Sequence, residues 1–214
     1  MKHKKIILGI MVLCISILTC MSVAAASNKN INAKAVKAYQ KILKKGYYTY
    51  RASGFTWRVE LNEFTLIDIN RDGIKEMITQ EGQYGGKQLW VFDGKKAKRA
   101  VSFTTYQGAS VAYDPLSKAV GFTVSMSVSN PTKAYLRIQS RSKLKQYIFR
   151  THYEWIEHLN KWEISYYLNN KHLSKKMFNK RLKSINYNPS TSYTLKFYKN
   201  SASNRNKMNQ LKAY

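Results

Sequence analysis

Ala119-Val-Gly-Phe-Thr-Val-Ser-Met-Ser127 alternates without a break. Val120, Phe122, Val124 and Met126 fall on one face of an extended chain, and Gly121, Thr123, Ser125 and Ser127 fall on the other. A period of two is what a strand with one buried face requires. On both sides of this segment, short apolar, β-branched and aromatic runs recur between turn residues. The predicted strands are 63–69, 75–80, 87–92, 97–103, 109–113, 119–127, 133–139, 145–156 and 161–168. Asp93-Gly94 suits a type I′ turn, Asp114-Pro115 and Asn130-Pro131 open turns, and Asn169-Asn170 tolerates positive φ. Connections this short join antiparallel neighbours, because parallel strands need crossovers of about a dozen residues. The expected fold is mainly β: an antiparallel meander, with propeller-like curvature as one form of it.

An N-terminal helix and one or two C-terminal helices should flank the meander. Ile31, Ala35, Ala38, Tyr39, Ile42 and Leu43 repeat at three and four, which predicts an amphipathic helix over 32–45 that packs on a sheet. Gly46 stands where a helix-ending glycine belongs, and Lys41, Lys44 and Lys45 suit the negative end of the helix dipole. Ser174 reads as the cap of a helix over 175–184, with Phe178 and Leu182 on one face. Asn188-Pro189 ends that region. Residues 193–198 read as a further strand and 201–212 as a polar, peripheral helix.

The chain has 214 residues, with 37 Lys and Arg against 11 Asp and Glu, for a formal charge of +26. Hydrophobic residues are 44% and aromatics 13%, enough for a packed core, so disorder is excluded as the main state. Beyond the N-terminus no apolar run is long enough to cross a bilayer. Both cysteines, Cys14 and Cys20, lie in the first twenty residues, which excludes a disulfide scaffold or a cysteine metal cluster in the body.

Residues 1–26 read as a signal peptide. Lys2, His3, Lys4 and Lys5 are a positive start, Ile6 to Leu18 an apolar core, and Ala24-Ala25-Ala26 a site for cleavage before Ser27. A retained anchor is the first alternative, with a run short for a span. Lipidation at Cys20 is the second, although Ile17-Leu18-Thr19 lacks the small residue expected just before the cysteine. The remainder, 27–214, reads as a single domain that is secreted or associated with the cell wall, with no membrane span after cleavage.

One stretch carries specific chemistry. Residues 68–76 are Asp-Ile-Asn-Arg-Asp-Gly-Ile-Lys-Glu, with oxygen-bearing side chains at loop positions 1, 3, 5 and 9 and Gly73 at position 6. Calcium wants six to eight oxygens, which alternate residues of a tight loop can supply. The expected shell is Asp68, Asn70, Asp72 and Glu76 by side chain and Ile74 by its backbone carbonyl. Position 12 is Thr79, where an EF-hand needs a bidentate Glu, and the flanks Phe64-Thr65-Leu66-Ile67 and Met77-Ile78 are strand-like. The other reading is an acidic turn closed by Asx hydrogen bonds, with no ion. With Arg71 and Lys75 adding positive charge, the expected calcium affinity is weak, about 10⁻⁴–10⁻³ M, and the ion's role structural.

Residues Phe64 to Ile78 resemble the loop of integrin-type FG-GAP repeats, which joins two strands with Asp-x-Asp-x-Asp-Gly-x-x-Asp. Asn70 and Glu76 depart from that pattern while keeping oxygen chemistry. Such repeats normally occur in series, and one copy is present, so the resemblance implies the loop and not a whole propeller. The layout also looks like that of small exported proteins of Gram-positive bacteria.

Six of the eleven acids (Glu60, Glu63, Asp68, Asp72, Glu76, Glu81) lie within 60–81, while 164–214 contains none and carries eleven Lys and Arg. Such a tail is attracted to polyanions. The basic residues are 28 Lys and 9 Arg, whereas bidentate nucleic-acid recognition favours Arg. The partner expected is an anionic cell-wall polymer or a surface protein, with specific nucleic-acid reading disfavoured. His152 and Glu154 could share an ion, but His158 would lie roughly 20 Å from His152 along an extended strand. No nucleophile motif is present. Carboxylate pairs at Glu60 and Glu63, or Glu154 and Glu163, could serve a glycosidase. Trp57, Trp90, Trp155 and Trp162 are contact platforms if exposed together. The reading is an exported, non-catalytic calcium-binding module at the cell envelope; the alternative is a secreted hydrolase acting on wall or nucleic-acid polymers.

Overall fold

A computed structural model of the chain describes residues 27–52, 54–81, 86–103, 109–125, 131–140 and 143–214. The proposed signal peptide and the end of the alternating stretch, Met126 to Ser127, lie outside the described residues. Helix α1 covers residues 27–45. Five strands follow: β1 (Tyr47–Ala52), β2 (Phe55–Ile67), β3 (Glu76–Glu81), β4 (Lys87–Phe92) and β5 (Ala97–Phe103). Six more are β6 (Ala109–Asp114), β7 (Ala119–Ser125), β8 (Pro131–Ser140), β9 (Lys143–Ile156), β10 (Lys161–Leu168) and β11 (Lys171–Leu173). Helix α2 (Lys175–Ser184), β12 (Tyr193–Thr194), β13 (Tyr198–Lys199) and α3 (Ala202–Asn206) complete the chain.

The fold is mainly β and antiparallel, with an N-terminal helix and C-terminal helices. The meander divides between β5 and β6. One sheet runs β1-β2-β3-β4-β5 with β13 added to β2, and the other runs β11-β10-β9-β8-β7-β6-β12. Alternation along the strands explains the layering. Phe64 and Leu66 of β2, Met77 of β3, and Trp90 and Phe92 of β4 pack with Ala35, Val36, Tyr39 and Leu43 of α1. Their neighbours Ile67, Ile78, Leu89 and Val91 face the second sheet, meeting Val111, Val120, Phe122, Ala134 and Leu136. β4 is therefore buried along its whole length. The outer face of the second sheet takes α2, where Tyr135 and Phe149 pack on Phe178 and Ile185. The order of layers is helix, sheet, sheet, helix.

Punctuation follows local chemistry. Gly46 has φ +76° and its N–H reaches the carbonyls of Ile42 and Leu43, closing α1. Asn169 and Asn170 take φ of 49° and 65°, the positive values a tight hairpin needs. Ser174 caps α2, its Oγ accepting from the Met177 N–H at 3.3 Å.

Asp93-Gly94 opens a four-residue loop in place of a two-residue I′ turn. The Asp93 carboxylate accepts the N–H groups of Lys95 and Lys96 at 2.9 and 2.8 Å, which favours the wider loop. The expected strand over 193–198 is two short strands, because the segment leaves the second sheet at β12 and joins the first at β13. The expected helix over 201–212 is α3 followed by a 3₁₀ turn at Met208–Gln210. Among the described residues α1 is already helical at residue 27, one turn ahead of the apolar period.

Gly121 shows what the outer layer demands. A Cβ built there would lie 2.8 Å from Cζ of Tyr187, whose ring packs 4.9 Å from that of Tyr135. Gly121→Ala is expected to cost about 1–2 kcal/mol by overpacking, measured by urea unfolding. Pairing it with Tyr187→Leu should recover part of the loss.

Candidate functional site

The loop between β2 and β3 holds four of the five proposed ligands, and the fifth, Glu76, opens β3. The strands on either side pair as far as Ile67 opposite Glu76, so Asp68 to Lys75 must reverse the chain at the end of a regular ladder. Gly73 (φ +85°) and Arg71 (φ +61°) supply the left-handed turns. Ile69 and Ile74 are buried on opposite sides, in the inter-sheet core and the α1 core. These two anchors fix the loop while its polar side chains turn inward.

The oxygens meet backbone N–H groups. Asp68 Oδ1 accepts from the Asp72 N–H at 3.0 Å and its Oδ2 from Gly73 at 2.8 Å. Asn70 Oδ1 also accepts from the Asp72 N–H, at 3.2 Å, and its Nδ2 donates to Asp72 Oδ2 at 3.1 Å. Asp72 Oδ1 accepts from the Ile74 N–H at 2.8 Å. Glu76 reaches across the loop, its Oε2 accepting from the Ile69 N–H at 3.0 Å. These are the Asx bonds of an acidic turn. Among the described residues no three His, Cys, Asp or Glu side chains are gathered as a metal cluster. The donor chemistry fits calcium, since each carboxylate oxygen keeps a second lone pair, but the side chains are arranged for the turn.

The electrostatics of the loop are unbalanced. Glu76 is 2% exposed. Burial first, and the Asp72 and Asp68 charges next, push its carboxyl well above the usual range against the Ile69 hydrogen bond. Asp68 is also raised, mainly by burial. Among the described residues no Lys or Arg nitrogen comes within salt-bridge distance of Asp68, Asp72 or Glu76. Lys75 feels the Asp68 charge, yet its Nζ donates to the Asn209 carbonyl at 2.9 Å. Burial of Tyr39, behind the loop, raises its hydroxyl, and Glu76 and Asp72 add to the effect.

Three asparagines clamp the loop from both ends of the described chain. Asn28 Nδ2 donates to the Asp72 carbonyl at 2.8 Å, and Asn32 Oδ1 accepts from the Lys75 N–H at 2.9 Å. Asn32 also reaches Asn209 at 3.4 Å. Sequence reasoning missed these residues. Asn28 and Asn32 are one helical turn apart, but nothing local ties them to a loop some forty residues later.

The other candidates are dispersed or lie elsewhere. His152 and Glu154 are exposed on β9, while His158 falls in the 3₁₀ turn Glu157–Leu159 beyond it. Glu154 and Glu163 stand directly opposite each other on β9 and β10, both exposed. Trp90 is buried, whereas Trp57 and Trp155 are 46% and 44% exposed on different sheets.

A polar network that the sequence did not suggest surrounds Glu81. The Tyr48 hydroxyl donates to its Oε1 at 2.9 Å, and Gln88 Nε2 donates to the same oxygen. Gln88 Oε1 accepts from Thr79, whose Oγ1 accepts from the Trp90 indole N–H at 3.0 Å. Burial, with the Glu81 charge, pushes the Tyr48 hydroxyl up to about 12. Glu81 itself is raised by burial against the hydrogen bonds of Tyr48 and Gln88. Glu63 and Glu81 both line a cavity of about 590 Å³ against Lys199, Asn200 and Ser201.

No protein-family model, curated protein or solved structure matches this chain.

Proposed function

We propose that the protein is an exported, non-catalytic binding module of the cell envelope, held in shape by calcium in the loop Asp68 to Glu76. The observation that supports the ion is the buried Glu76 carboxyl beside Asp68 and Asp72, with no Lys or Arg nitrogen at salt-bridge distance among the described residues. Such a set is relieved by a proton or by a divalent cation. Asp68, Asn70, Asp72 and Glu76 would hold the ion through side-chain oxygens and Ile74 through its carbonyl. Calcium would supply charge neutralisation and rigidity. Export rests on the sequence of residues 1–26, and contact with an anionic polymer or surface protein on the basic character of residues 27–214, where 34 Lys and Arg stand against 11 Asp and Glu.

The test is titration calorimetry on the chain without residues 1–26. Heat with a dissociation constant of about 10⁻⁴–10⁻³ M is expected, and none from Asp68→Ala or Asp72→Ala. Absence of heat in the parent at several times that concentration ends the calcium reading.

The hydrolase reading draws on a different pair from those first considered. Glu63 and Glu81 line one cavity, and burial raises the Glu81 carboxyl as a general acid requires. Release of reducing ends from wall glycan by the parent, lost in Glu81→Gln, would favour it.

A further inference from the structure

The hairpin of β1 and β2 runs past the body of the first sheet. β3 pairs with β2 only from Leu61 onward, so residues 55–60 have β1 as their partner. Those six positions are exposed apart from the half-buried Val59. An isolated two-stranded ribbon is marginal in water, and this one carries large apolar groups at its end. Phe55 is 67% exposed and Trp57 46%, with ring centroids 5.9 Å apart.

The ribbon has two unlike faces. Phe55, Trp57 and Val59 alternate with Thr56, Arg58 and Glu60, so the aromatic pair shares a face that Val59 continues into the α1 core. On the opposite face the Arg58 guanidinium lies 3.9 Å from the Tyr47 ring, with Lys45 Nζ 4.6 Å from the same ring. Residues 1–59 contain no Asp or Glu. Along α1, Lys29, Lys34, Lys37, Lys41, Lys44 and Lys45 are all exposed.

We propose that the β1–β2 hairpin docks on an anionic phospholipid bilayer. Phe55 and Trp57 enter the boundary between headgroups and acyl chains, where amphipathic rings are favoured, while Arg58 and Lys45 meet phosphates. The lysines of α1 add long-range attraction to the negative surface. Charge complementarity selects a lipid surface over a second copy of this strongly basic chain, and the aromatic end selects it over a soluble polyanion. The inference deepens the envelope reading, on which it rests only for where the bilayer is met.

Co-sedimentation with phosphatidylglycerol and with phosphatidylcholine vesicles, in chelator, tests it independently of calcium. The parent should bind the anionic vesicles, more weakly as salt rises, and its tryptophan emission should move to the blue. Phe55→Ser with Trp57→Ser should lower partitioning on the order of 100-fold, because two apolar side chains stay in water. Lys45→Gln with Arg58→Gln should lower it about tenfold and flatten the salt dependence. Trp57→Phe should still bind but lose most of the emission shift. All these side chains are exposed or half-exposed, so unchanged melting temperatures separate lost docking from lost fold.

Three results would overturn the proposal: no binding to anionic vesicles, equal binding by the Phe55/Trp57 double variant, or an emission shift kept whole in Trp57→Phe. A parent that dimerises through the hairpin, by sedimentation equilibrium, and ignores vesicles would overturn it in favour of self-association.

Discussion

Asp114→Ala should lower the unfolding free energy by about 2–3 kcal/mol at neutral pH. Asp114 ends β6 and is fully buried. Its Oδ1 accepts from the Leu116 N–H at 3.0 Å and the Thr191 hydroxyl at 3.3 Å, and its Oδ2 from the Asn188 N–H at 3.0 Å. One carboxylate thus holds both its own turn and the segment that follows α2. Truncation leaves the part-buried N–H groups of Leu116 and Asn188 without their carboxylate acceptor and frees that segment from the sheet.

The pH dependence has a definite sign. Burial raises the Asp114 carboxyl, but the hydrogen bonds of Asn188, Leu116 and Thr191 outweigh it, and the net shift is downward from 3.8. A group lowered in the fold contributes stability above its unfolded value and loses it as pH falls through the folded one. The gap between parent and Asp114→Asn in urea titrations should therefore narrow below about pH 4. A gap that stays constant into strong acid would show that the charge of Asp114 contributes nothing.

Glu76→Gln should change sign with calcium. The parent carboxyl is raised by burial and then by Asp72 and Asp68, so its contribution is present below the unfolded value of 4.5 and is lost as pH rises through the folded one. In chelator at neutral pH the amide removes that penalty, and the variant should melt higher than the parent. With calcium at a hundred times its dissociation constant, the parent should gain about 2.7 kcal/mol, and the variant much less. The order of melting temperatures then reverses. Equal responses of the two proteins to calcium would remove Glu76 from the shell.

The strands from β3 to β10 were legible because their interiors follow a period of two and their ends carry Asn, Asp, Gly or Pro. Val120 and Phe122, buried on the shared core, are the clearest case. The β1–β2 hairpin was not legible. Its outer residues face water on both sides, so burial imposes no pattern beyond the Phe55-Trp57 alternation. Division into two sheets was hidden for another reason: Leu89 and Trp90 are both buried, in different cores, and a continuous apolar run does not say what covers each face. The loop's residues were legible from spacing, whereas its clamp of Asn28, Asn32 and Asn209 depends on contacts across 43 to 177 positions.

The segment from Tyr193 to Tyr214 ties the two sheets to each other. β12 pairs with β6 in one sheet and β13 with β2 in the other, and the Lys196 N–H then binds the Ala213 carbonyl. Tyr214 stacks on Tyr193 and Tyr113, at 5.0 and 5.9 Å between rings. Both sheets therefore share one closing segment, residues 193–214. Cutting the chain between β12 and β13 should loosen the two sheets together, so that they melt in one transition at a lower temperature and not one after the other.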